Sequence, residues 1–356
     1  MTLAVGLMSG TSIDGIDVAA IETDGLAVVV PHGAMTIPYD AALRQRIRSV
    51  LGGNGQLAEA ESALTTAHAK AVDTLIRTYG LHDASLIGFH GHTVLHRPWE
   101  RRTWQIGDGA LLARLTGLDV VNDFRSADVA SGGQGAPFVP LFHRALAAKL
   151  ERPLAILNIG GVANVTWLGG GEDEILAFDT GPGNALLDDW AATHTGRPVD
   201  EDGTLARQGK IDETHVARFL AHPFFDARPP KSLDRDDFAR LVPDGLSPAD
   251  GAATLAAMTV AGIVAARRHF PARAVRWLVT GGGRRNPVLM TMLAAQLDAP
   301  VAPVEHAGWD GDALEAQAFA YLAVRSVKGL PLSLPQTTGV AAPMPGGRFY
   351  RASPRI

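Results

Sequence analysis

Apolar residues along this chain of 356 residues come first as three short runs, Leu3–Met8, Ile16–Glu22 and Ala27–Ile37. Each has strand length, and polar or glycine-bearing turns separate them. Helix-period segments follow from Asp40 to Leu51 and from Leu57 to Tyr79, then a strand at Leu86–His90, a helix at Gly109–Thr116 and a strand at Asp119–Asn122. The second half repeats the rhythm. A hairpin spans Leu154–Leu168, a third strand Ile175–Phe178 and a helix Ala185–Thr195; a loop-rich insertion, Pro198–Pro248, comes next. A helix at Asp250–Phe270, a strand at Val275–Thr280 and helices at Pro287–Leu297 and Ala313–Val327 complete it. Hairpin logic makes each opening trio antiparallel, and strands joined by helices should be parallel. The pattern predicts two similar α/β domains with mixed sheets facing each other across a cleft, residues 1–135 and 136–330. A Pro- and Gly-rich tail, 331–356, is expected to lie over the surface without regular structure.

Composition narrows the function. Hydrophobic residues make up 46% and charged ones 19%, as in ordinary globular proteins. A formal net charge of −5 provides no basic field to draw nucleic acid. With no cysteine, disulfides, thiolate catalysis and Cys-based zinc sites are excluded. The N-terminus lacks a signal-peptide pattern, and no apolar run reaches the ~20 residues of a membrane span. The nearest, Ala252–Ala266, is interrupted by Thr254, Thr259 and Gly262 and ends at Arg267 and Arg268. A soluble cytoplasmic protein is expected.

The candidate chemistry sits where strands meet glycine turns. The first hairpin tip carries Gly10, Thr11, Ser12, Asp14 and Gly15. Its N–H groups and hydroxyls can cradle a phosphate, and Asp14 can hold a hydrated Mg²⁺. The second hairpin turns at Gly160, Gly161 and Asn164, the strand after it ends in Asp179-Thr180-Gly181-Pro182-Gly183-Asn184, and Val275–Thr280 runs into Gly281, Gly282 and Gly283. Asn286 and Pro287 suit the N-cap and first position of the helix beyond. Asp179 is either a base or an Asx-turn former, and Asp312 with Glu315 fits a capping box. His90, His92 and His96 lack the spacing of a zinc site. The segment Lys231–Asp237 reads as a solvated loop. A dinucleotide-dependent oxidoreductase is disfavoured because the 281–286 motif lacks its third glycine and sits late in the chain.

The stretch Gly6–Asp17 resembles the first phosphate loop of the anhydro-N-acetylmuramic acid kinase family, within the actin-like and sugar-kinase superfamily. The likeness continues through Gly91–Thr93, Gln105–Gly107, Asn122–Arg125, Gly132–Pro137, Asn158–Asn164, Asp179–Asn184, Gly281–Asn286 and Glu315–Ala320. It implies two ribonuclease-H-like domains and an ATP- and Mg²⁺-dependent kinase. Such an enzyme opens the 1,6-anhydro ring of an amino sugar and phosphorylates O6, in cell-wall recycling, as a cytoplasmic homodimer. By this resemblance Asp179 is the base and Glu315 reaches the active site. Gly10, Thr11, Ser12, Ile13, Asp14, Gly15, Ile16 and Asp17 wrap the phosphates, joined by Gly160, Gly161 and Asn164. Gly281, Gly282, Gly283 and Asn286 face adenosine, and His92, Thr93, Asp123 and Arg125 face the sugar, Arg125 toward its lactyl carboxylate. Two departures stand out: Gly91-His92-Thr93 replaces the usual Gly-Gln-Thr, and Leu233-Asp234-Arg235-Asp236 replaces Thr-Gly-Arg-Glu after Ser232. A kinase of another sugar, or a non-catalytic ATP- or sugar-binding protein, would share much of this pattern.

Overall fold

The computed structural model describes residues 1–10, 12–171, 173–233 and 237–352. The chain divides into two units, Met1–Lys149 with Asp312–Ile356, and Leu150–Gly311. These bounds differ from the expected breaks after residues 135 and 330. The reason is non-local: the helix that begins at Leu314 packs on the first sheet, and the tail adds a strand to it.

In the first unit, β1 (Thr2–Ser9), β2 (Gly15–Thr23) and β3 (Val29–Pro38) form an antiparallel trio. β4 (Leu86–Arg97) lies parallel to β1 and to β6 (Asp119–Asn122), and β5 (Arg102–Ile106) pairs antiparallel with β4. β12 (Arg348–Tyr350) closes the edge against β6. Helices α1 (Ala41–Arg48), α2 (Leu57–Tyr79) and α3 (Gly109–Thr116) accompany them, α1 and α3 started by Asp40 and Asp108 as N-caps. On α2, Ala60, Leu64, Ala71, Val72 and Leu75 recur at helical spacing and join Val5, Leu7, Val18, Ile87 and Phe89 in the core. Short helices α4 (Ser126–Ala130) and α5 (Pro140–Leu146) precede the second unit.

Helix α10 (Leu314–Val327) returns to this sheet and packs on β1, β2 and β4. It sits unusually close. A Cβ on Gly6 would overlap the Ala316 carbonyl, and one on Gly88 the Phe319 carbonyl, so both strands meet the helix with bare backbone. The tail also differs from expectation. It forms α11 (Pro335–Thr338) and β12, and Ser333, Thr337 and Thr338 are buried. Asp128 explains this: one carboxylate oxygen accepts from the hydroxyls of Ser333 and Thr338, the other from the Gly135 N–H at 2.7 Å.

In the second unit, β7 (Leu154–Ile159), β8 (Val162–Leu168) and β9 (Ile175–Pro182) are antiparallel, while β10 (Arg276–Thr280) and β11 (Val301–Pro303) continue in parallel from β7. The order is β11-β10-β7-β8-β9. The first sheet runs β3-β2-β1-β4-β6-β12; with β5, which pairs only with β4, set aside, β6 takes the fifth place, so by position within each unit both sheets share the order 3-2-1-4-5, the ribonuclease-H-like arrangement. Helices α6 (Ala185–Thr195), α7 (Glu213–Leu220), α8 (Pro248–Ala266) and α9 (Pro287–Gln296) complete the unit. The long apolar helix Pro248–His269 is mostly buried in the protein, with Leu255, Met258, Val260 and Ile263 in the core. The expected loop-rich insertion contributes an aromatic cluster, Phe219, Phe225 and Phe238, to that core.

Two predictions follow from this packing. Gly6→Ala should destabilise the protein by roughly 1–3 kcal/mol or more, because a backbone carbonyl cannot swing aside as a side chain can. An unchanged denaturant midpoint would refute the close seating of α10. The second concerns pH. Burial pushes His68 and His92 down to about 4 and His143 to about 3, against about 6.5 in an unfolded chain. Between those values the unfolded chain binds more protons, so stability falls as pH drops from about 6.5 toward 4. Denaturant midpoints at pH 7 and 5 should show this decline, shallower in His143→Leu; a flat profile would contradict it.

Candidate active site

Each unit carries polar residues where its strands end. In the first, the β1–β2 tip turns through Ile13, which adopts φ +55° and donates its N–H to the Gly10 carbonyl at 3.1 Å. Ile13 and Ile16 are buried in the core, leaving only their backbone to meet a ligand. Ser12 and Asp14 are exposed, joined by a 2.8 Å bond from the Ser12 hydroxyl to the carboxylate. Gly15 backs tightly onto the Ile37 carbonyl, and Asp17 accepts from Thr36 at 2.6 Å. Thr11 lies outside the described residues. Beneath the tip, Tyr39 donates to Ser9 at 2.8 Å, and Ser9 lies 2.9 Å from His92 Nδ1. His92 is thus an interior brace, 1% exposed. Thr93 accepts from Gln105 at 3.2 Å, and Gln105, Asp123, Ser126 and Glu61 line a cavity of about 270 Å³.

Arg125 and Glu315 form a second cluster in this unit. Arg125 donates from Nε to His90 Nε2 at 3.0 Å and from Nη1 to the Gly135 carbonyl at 2.6 Å, with its guanidinium over the Phe138 ring. Burial pushes the Glu315 carboxyl above the usual carboxylate range; the Arg125 guanidinium opposes this and Asp17 reinforces it. Helix α10 starts at Leu314 with Ala313 in the N-cap position, and Glu315 stands in its first turn. Of the three clustered histidines, His90 meets Arg125, His92 meets Ser9 and His96 meets Thr103.

In the second unit the structure brings the three glycine turns together. Asn184 donates its backbone N–H to the Gly160 carbonyl at 2.7 Å and its side-chain amide to the Ile159 carbonyl at 3.1 Å. Gly183 donates to the Gly161 carbonyl at 2.9 Å. Gly281, at φ +76°, lies against Asn158 and the Ile159 carbonyl, where a Cβ would clash, and Gly283 abuts Ile159 and Asn184. Asn286 is committed to capping α9, its Oδ1 accepting from Val288 and Leu289.

Strand register adds what spacing could not reveal. Thr280 pairs with Asn158, Asn158 with Asn164, and Asn164 with Asp179. Directly paired residues share a face, so a polar row crosses four strands of the sheet and ends at Asp179. Asp179 is 7% exposed. Its N–H donates to the Lys231 carbonyl at 3.0 Å, and its Oδ2 accepts from the Leu233 N–H at 2.8 Å. The loop read as merely solvated therefore holds the carboxylate. Lys231 itself lies over the Phe224 ring at 4.2 Å and donates to the Phe224 carbonyl at 2.8 Å. Burial draws its ammonium down to about 8, with Arg268 adding to the effect and Asp226 and Asp179 opposing it. Lys231, Leu233, Asn158 and His90 were not among the expected site residues. For Asn158 a signal existed, a lone amide inside the apolar strand Leu154–Ile159.

This chain matches the family model described as anhydro-N-acetylmuramic acid kinase over residues 2–352. A protein of Paramagnetospirillum magneticum named anhydro-N-acetylmuramic acid kinase is 59% identical over 353 residues, covering 98% of this chain and 99% of that one. One of the same name from Rhodospirillum rubrum is 54% identical, covering 98% and 94%. Another from Acidiphilium cryptum is 53% identical, covering 99% of each chain. With strand order, glycine turns and a held carboxylate in agreement with that likeness across the whole length, the chain belongs to the anhydro-N-acetylmuramic acid kinase family.

Proposed function

We propose that this protein is an ATP-dependent kinase that hydrolyses the 1,6-anhydro bridge of 1,6-anhydro-N-acetylmuramic acid and phosphorylates O6, yielding N-acetylmuramic acid 6-phosphate in cell-wall recycling. The observation that carries the reading is the Asp179 carboxylate, held by a backbone N–H and set beside three mutually packed glycine turns. A water attacking the anomeric carbon needs a carboxylate base for its proton. The new bond is water oxygen to C1; the C1–O6 bond breaks, and its electron pair leaves O6 as the nucleophile for the γ-phosphorus. As the O6–P bond forms, the bond from phosphorus to the β-phosphate oxygen breaks and ADP departs, while Asp179 retains the proton from water.

The remaining roles follow from the surroundings. The Leu233 N–H orients one oxygen of Asp179. Gly160, Gly161 and the 281–283 turn present backbone where a nucleotide can approach, and the Gly10–Asp17 tip does so for phosphates. Arg125 suits the lactyl carboxylate, and Glu315 the sugar beside it. Asp123 on the 270 Å³ cavity offers a further polar contact to a sugar. Exposed Asp14, with the Ser12 hydroxyl beside it, fits the one or two carboxylates with which Mg²⁺ is usually held alongside phosphates. When bound there the ion would neutralise phosphate charge. The reading extends to a cytoplasmic homodimer, for which sedimentation at twice the chain mass is the check.

An ADP-release assay with Mg·ATP should give turnover on 1,6-anhydro-N-acetylmuramic acid above that on N-acetylmuramic acid or glucose. Asp179→Asn keeps an acceptor for Leu233 but loses the base, so kcat should fall roughly 10²–10⁴-fold with ATP affinity retained. Turnover indifferent to this change would sink the mechanism, and ATP binding without turnover on any sugar would favour a sensor. Lys231→Met removes a cation that favours the ionised carboxylate. The acid limb of the kcat/KM profile should therefore move to higher pH; an unmoved limb would separate Lys231 from the base.

A further inference from the structure

His90 holds a position that the proposed chemistry leaves unused. It stands on β4, 4% exposed, with both ring nitrogens engaged by partners that admit a single role each. Nδ1 lies 2.9 Å from the Gly91 carbonyl, which can only accept, so Nδ1 carries the hydrogen. Nε2 lies 3.0 Å from Arg125 Nε, which can only donate, so Nε2 presents its lone pair. The ring is therefore neutral and fixed in one tautomer. Burial, followed by the Arg125 charge, pulls it well below the ordinary histidine value, and His92 and His68 act in the same sense.

The ring also meets α10. It packs on Phe319 with centroids 4.5 Å apart, and Phe319 stands one turn beyond Glu315 on that helix. Arg125 is thus bonded along its guanidinium plane at two points, Nε to His90 and Nη1 to the Gly135 carbonyl, with the Phe138 ring against it. Two in-plane bonds fix the direction of a planar cation, which a single bond or an ion pair would leave free to swing.

We infer that His90 is a positioning residue, whose neutral Nε2 aims the Arg125 guanidinium and so fixes the cation that faces Glu315 and the substrate carboxylate. The inference rests on the proposed role of Arg125 in binding the sugar. His90 acts through Arg125 alone and touches no reacting atom.

His90→Phe keeps a ring on Phe319 but offers no acceptor; His90→Gln returns an oxygen within reach of Nε. Both would be assayed for kcat, sugar KM and ATP affinity, with Arg125→Lys alone and combined with His90→Phe. Removing the acceptor should raise the KM for the anhydro sugar by about 10-fold or more, with ATP affinity within about twofold. The glutamine variant should recover to within about threefold, and His90→Phe should add nothing when Arg125 is already lysine. An impaired Arg125→Lys beside a silent His90→Phe, or multiplying effects in the double variant, would overturn the role of His90. ATP affinity lost in step with sugar KM would likewise mark His90 as merely structural. Wild-type kinetics in Arg125→Lys would instead overturn the reading of Arg125 itself. Should His90→Phe fail to fold, long-range ¹H–¹⁵N spectra of wild type decide, with the His90 signals identified by their loss in His90→Gln. A neutral Nδ1–H ring between pH 6 and 8 supports the inference, and an Nε2–H or cationic ring overturns it.

Discussion

The contact on which the first unit depends is backbone against backbone: α10 lies on β1 and β4 with no side chain between at Gly6 and Gly88. A helix normally stands off a sheet by the depth of its side chains. Here two glycines and the small residues Ala19, Ala313 and Ala316 remove that spacing. The first turn of α10 is thereby drawn down to the sheet, and with it Glu315. Burial of that carboxyl, its opposition by Arg125 and the tilted packing of Phe319 against His90 are consequences of the same approach. Gly6 thus serves packing on the strand that leads into the β1–β2 tip.

A second layer of support comes from the far end of the chain. Asp128 gathers Ser333, Thr338 and the Gly135 N–H, and Gly135 in turn accepts from Arg125. A buried carboxylate is costly unless it is fully bonded, and this one is met by three donors. The tail belongs to the unit because those hydroxyls satisfy a charge placed some two hundred residues earlier. In the second unit the equivalent device is the 231–233 loop, whose carbonyl and N–H grip Asp179 from outside the sheet.

Much of the fold was legible. Three runs of strand length before each helical stretch predicted the antiparallel trios, and the helix-joined strands proved parallel as connection length requires. Asn286, read as an N-cap ahead of Pro287, caps α9 as expected. Legibility failed where a residue had two local uses. Asp312 and Glu315 have capping-box spacing, yet Glu315 also carries a buried carboxyl under the influence of Arg125, which that spacing does not report. Lys231 looked solvated because charge runs usually are, whereas its stem and ammonium lie against Phe224 and Phe178.

By itself, the sequence determined the opening trio of each unit, the longer helices, the glycine turns at strand ends and membership of a kinase family, because periodicity, capping and motif spacing are local properties written into neighbouring residues. Tertiary structure alone decided that α10 and the tail return to the first unit and that a polar row runs from Thr280 through Asn158 and Asn164 to Asp179. It likewise decided that His90 meets Arg125. These depend on strand register and on close approach between segments far apart in the chain. A shift of one residue in register would turn every side chain of the row to the opposite face, and no local pattern specifies which partner a strand will find.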